Sequence, residues 1–205
     1  MSSIKRVQQY RAAMVEILRW IRRDFIWSLL VVPMLSSAIV YILSVNNVNG
    51  WGESGSFKNL MEIVHPSLLA GFVLVAWGRW WLSRDASFMF LGVLGLCVLS
   101  REIVGQGSSF IVYIGIAALF VYASAHQMKL RRLLTSHWTT SFLFMCFLCY
   151  ATSQFLDRGL IKRIGWLILW DTSWQVPFSS NIEEALESLG GAFLLLTPSL
   201  VAKKG

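Results

Sequence analysis

Ser180–Gly205 reads SNIEEALESLGGAFLLLTPSLVAKKG. From Ile182 to Ala202 this is 21 residues, enough to cross a hydrocarbon layer of about 30 Å as a helix. Three carboxylates, Glu183, Glu184 and Glu187, stand at its start, and Lys203 and Lys204 follow its end. Carboxylates at the edge of a membrane span are costly without partners. The stretch therefore predicts a transmembrane helix together with polar residues elsewhere in the chain to meet it.

The composition agrees. Of 205 residues, 56% are hydrophobic and only 14% charged, whereas a soluble domain carries about a quarter charged residues. Several long apolar runs make a bilayer, not water, the solvent. The net charge of +7 does not indicate nucleic acid, because the positive residues flank apolar runs and form no basic domain of their own. The fold class that follows is all-α: a polytopic transmembrane helix bundle of six spans, with an N-terminal amphipathic interfacial helix.

Residues 1–24 form the amphipathic part. Ile4, Val7, Met14, Leu18 and Ile21 recur at helical spacing, while Lys5, Arg6, Arg19, Arg22 and Arg23 fall largely off that stripe. Such a helix lies on a membrane surface against anionic lipids. Residues 25–205 form the bundle, with spans at 25–45, 66–82, 86–104, 110–126, 138–156 and 182–202. The first apolar run is too long for a signal-peptide core and is expected to remain as an anchor. Pro33 falls inside the first span, where it predicts a kink or a freed carbonyl. Residues 46–64 read as a polar loop, and His65-Pro66 as a helix start. Trp77, Trp80 and Trp81 mark an interface, with Arg79 reaching out to it. Gly92 and Gly95 permit close helix contact. Residues 160–176 are apolar but short and basic, which suits an interfacial or re-entrant segment. Ser180, with Glu183 three residues on, has capping-box spacing.

Cys97, Cys146 and Cys149 all lie within apolar runs. An odd number placed there is no disulfide framework, and the residues read as small apolar core groups. With six spans both termini share one side. That side carries 13 lysines and arginines and the other 5: Lys58, Arg101, Arg158, Lys162 and Arg163. The asymmetry places both termini in the cytoplasm, as in a bacterial inner membrane.

On that topology His65, Arg101, Glu102, Asp157, Arg158, Glu184 and Glu187 arrive near the outer face from four different spans. They are the candidate residues for binding a ligand or proton. Like charges so close need arginines, a shared proton or a bound cation. No metal or other cofactor is expected; a divalent cation, if one binds, would take His65, Glu102, Asp157 and Glu187. No Gly-x-Ser-x-Gly or His-Glu-x-x-His motif and no phosphate-binding glycine loop is present, so the reading leans away from an enzyme. It favours an integral membrane protein of transport or sensing type that binds a proton, cation or small polar ligand. The alternatives are an intramembrane metal-assisted hydrolase or lipid-modifying transferase, and a scaffold subunit beside a membrane-protein partner.

Overall fold

The computed structural model describes residues 25–48, 56–104, 136–157 and 177–201, with short pieces between 114 and 168. The N-terminal helix expected over 1–24, the span expected at 110–126 and the segment 160–176 lie wholly or largely outside the described residues. Among the described residues the chain is all-helical, and four helices are long and apolar enough to cross a membrane.

A 3-10 turn at Trp27–Leu30 leads into α1, Val31–Val45. Pro33 thus sits in the first α-helical turn, where amide donors lack intrahelical partners anyway, and not at mid-span. The helix stops where the Asn46 side chain donates to the Ile42 carbonyl at 2.8 Å. Asn47 follows with φ of 47°, a left-handed conformation that asparagine tolerates at helix ends.

The second helix, α2, runs over Ser56–Ser83 and holds Pro66 in its interior. The expected loop is therefore shorter, and His65-Pro66 is not a helix start. Two features extend the helix backward. Phe57 and Met61, one turn apart, pack against Val40 of α1 and Ala185. On the outer face Lys58 and Glu62 pair at 3.8 Å. Proline is tolerated in such a helix because neighbours hold it in place.

Helix α3, Ala86–Val104, begins where the Asp85 carboxylate accepts from the Ser87 amide at 2.9 Å, an N-capping bond. It packs against α2 through its glycines. A Cβ on Gly95 would lie 2.6 Å from the Phe72 ring, and one on Gly92 would lie 2.8 Å from the Trp77 indole nitrogen. Helix α4 is His137–Asp157 and α5 is Ser179–Leu200.

Helix α5 does not start with a capping box. Phe178 occupies the cap position at φ 55°, with no side-chain capping bond. Its carbonyl takes the Ile182 amide at 3.1 Å. From there α5 runs through the centre, against α1, α2 and α4. Leu186, Phe193 and Leu194 of α5 share a core with Leu69 and Phe72 of α2 and with Met145, Cys146 and Cys149 of α4. Both of these cysteines are free, as is Cys97. Arg79 does not reach outward: its guanidinium donates to the Pro198 carbonyl of α5 and stacks 4.6 Å from the Phe88 ring.

Candidate functional site

One end of the bundle gathers polar side chains from α2, α3, α4 and α5. His65 lies on the α2 face that continues through Leu69 and Phe72 into the core, so its ring points inward and is 1% exposed. Gly191 of α5 lets the ring approach: a Cβ there would sit 3.4 Å from His65 Cδ2. Glu187, one helical turn before Gly191, faces the same way and is 6% exposed. Glu102 enters from the last turns of α3. His65 Nδ1 is 3.7 Å from Glu102 Oε2 and 3.7 Å from Glu187 Oε2. Ligand atoms of all three residues lie within 4.8 Å of one another.

Helix α4 fixes the far side of two of these groups. The Tyr150 hydroxyl is 2.7 Å from His65 Nε2. Ser153, one turn on, donates to Glu187 Oε1 at 2.7 Å. Both contacts are good hydrogen bonds, whereas the two 3.7 Å separations are too long to be. The outer atoms of the imidazole and of the Glu187 carboxylate are therefore satisfied, and their inner atoms face Glu102 across a gap. Arg101 is close enough for its positive charge to act on His65 and Glu102. Glu184, one turn before Glu187, is half-buried and feels the charges of Glu187, Lys58, Glu62 and Glu102.

Of the residues expected from sequence, His65, Glu102 and Glu187 are thus brought together, with Arg101 and Glu184 around them. Asp157 ends α4, but its side chain is outside what the structure describes, as is all of Arg158. Three of the four expected ligands are assembled among the described residues, and α4 adds Tyr150 and Ser153. Neither was singled out by sequence reasoning. Tyr150 and Ser153 share a helix face by their spacing, but Thr152 and Gln154 beside them are polar too, so the pair does not stand out in the sequence. Gly190 and Gly191 were also passed over. A Cβ on Gly190 would lie 3.0 Å from the Tyr150 ring, so the glycine pair brings α5 against both α2 and α4.

No protein family, curated protein sequence or solved structure matches this chain. Its chemistry must be read from the site. An imidazole and two carboxylates, with His65 and Glu187 buried, can hold a cation or share a proton. Among the described residues, His65, Glu102 and Glu187 are the group of potential metal ligands so assembled.

Proposed function

We propose that this chain is an integral membrane protein of transport or sensing type that binds a cation, proton included, at His65, Glu102 and Glu187. One observation carries the reading: two carboxylates face one buried imidazole from three helices. Such an arrangement is costly in a membrane unless it serves a positively charged ligand. The excess of lysine and arginine on one side supports cytoplasmic termini in a bacterial inner membrane, with the site toward the outer leaflet. The basic residues before Phe25 suit anionic lipid.

The test compares wild type with Glu187→Gln in lipid nanodiscs, following thermal unfolding against pH and against added cations. A ligand at 100 times its dissociation constant stabilises the folded state by about 2.7 kcal/mol. That gain is expected in wild type and is expected to shrink in the variant. If neither pH nor any cation separates the two proteins, the cluster serves only helix assembly. Topology is checked with single cysteines at Ser54 and Thr135 in a background without the native three. An impermeant thiol reagent added from outside should label the first and spare the second.

A further inference from the structure

We infer that the cation held at this site is a first-row divalent transition metal, bound by His65 Nδ1 and by one oxygen each of Glu102 and Glu187, with a coordination position left open. This rests on the cation-binding reading above and narrows it to a ligand class.

The spacing is the first argument. Metal–nitrogen and metal–oxygen bonds of about 2.1 Å place two ligands of a tetrahedral ion about 3.4 Å apart. Both His65 Nδ1 to carboxylate separations are 3.7 Å, close to that value and longer than a hydrogen bond. Three groups that only bonded to each other would close the gap.

The second argument is the outer partners. When Nε2 carries the imidazole hydrogen it donates to the Tyr150 oxygen, and Nδ1 then presents its lone pair to the gap. Ser153 holds Oε1 of Glu187, so Oε2 is the free oxygen. Ligands whose other atom is tied in this way are the usual support of a metal centre. Neither bond is needed for a mobile proton.

The donor set then selects the ion. Calcium takes six to eight oxygens, more than the two carboxylates among the described residues supply. Magnesium is held through carboxylates and several retained waters, and an imidazole nitrogen is not among its preferred donors. One imidazole with two carboxylates suits manganese, iron, cobalt or zinc. Three protein ligands among the described residues leave a position vacant, as in sites where a metal acts on water or substrate. Glu102 is the most exposed of the three side chains, at 20%, so the open side lies toward it.

The test uses the full chain in nanodiscs, stripped with chelator and titrated with manganese, cobalt, zinc, magnesium and calcium salts. One first-row ion per chain is expected, with magnesium and calcium failing to displace it at equal concentration. His65→Ala should abolish binding. Tyr150→Phe and Ser153→Ala, which touch no metal, should each weaken it about 10–100-fold. Cobalt absorption bands of the wild type report coordination number and require no variant to fold. Binding that survives His65→Ala, or a six-oxygen cobalt spectrum, overturns the inference. Stabilisation by protons, magnesium or calcium alone also overturns it and leaves the broader reading standing. If no cation and no pH change acts, both fail together.

Discussion

Helices α1 and α5 are opposites. Helix α1 carries no ionisable group apart from Tyr41, and Met34, Leu35, Ile39 and Ile42 all point outward. Helix α5 carries three glutamates, two adjacent glycines and a proline, yet eleven of its residues are buried. The four apolar helices continue the pattern. As their mean hydropathy falls, the share buried inside the protein rises from 17% to 22%, 28% and 39%. In water the apolar helix would go to the centre. In a bilayer lipid is as apolar as leucine, so hydrophobicity gives no reason to bury a side chain. What must be buried is polar, and what packs tightly is small. The perimeter is therefore apolar and the centre is built from α5.

The largest effect expected from this contrast is at the site. His65→Ala removes the imidazole that lies 3.7 Å from both Glu102 and Glu187 and leaves the buried Glu187 carboxylate without it. The loss leaves the Tyr150 hydroxyl and the carboxylates without the imidazole, and an unpaired buried polar group costs about 1–3 kcal/mol each. Unfolding in nanodiscs without added divalent cation should show that loss. Adding Glu187→Gln to His65→Ala should recover part of it, because the uncompensated charge leaves too. Additive losses would mean that the two residues are not coupled, and the polar centre would be only a collection of separate groups.

Next is Ser153→Ala, which deletes the hydrogen bond to Glu187 Oε1 without removing a ligand. Bonds to charged groups contribute about 1.5–3 kcal/mol, and a loss in that range is expected. Asn181→Ala acts where the two contrasted helices meet. Its side chain donates to Ser44 Oγ of α1 at 2.9 Å, buried on both sides. Polar contacts between membrane helices average about 0.6 kcal/mol and reach about 1.7, so α1 should be loosened only slightly. A loss above 3 kcal/mol would show that α1 hangs on this one contact and not on its packing around Val40.

The class of the protein was legible because apolar run length is a direct physical signal of a bilayer. The elements were legible less evenly. The start of α2 at Ser56 was obscured by Pro66, which is a start signal in water but is tolerated inside a packed membrane helix. The start of α5 was misread because Phe178 takes a left-handed conformation that no propensity favours for phenylalanine. At the site, glutamates and a histidine in apolar runs announce themselves by their cost. Tyr150, Ser153 and the Gly190-Gly191 pair do not, since each is ordinary in a membrane helix. Only the packing of α4 against α5 gives them a role, and that packing depends on residues far apart in sequence.

The smallest effect is the most discriminating for the contrast itself. Ile39 lies on the outward face of α1 and is 54% exposed. In a soluble protein, truncating a buried isoleucine to alanine costs about 2–5 kcal/mol, from lost transfer energy and the cavity left behind. At a lipid-facing position neither contribution arises, because acyl chains fill the vacated volume and the side chain gains nothing by leaving lipid for protein. Ile39→Ala should therefore change stability by less than about 0.5 kcal/mol, the range of surface substitutions. The measurement is the same nanodisc unfolding, made beside Leu194→Ala in the core of α5, where the cavity left behind should cost stability even though the transfer contribution falls away. If Ile39→Ala costs as much as Leu194→Ala, the outward face of α1 is covered by protein. The inverse order of apolarity and burial would then end at α1, and this helix would be an interface instead of part of the perimeter.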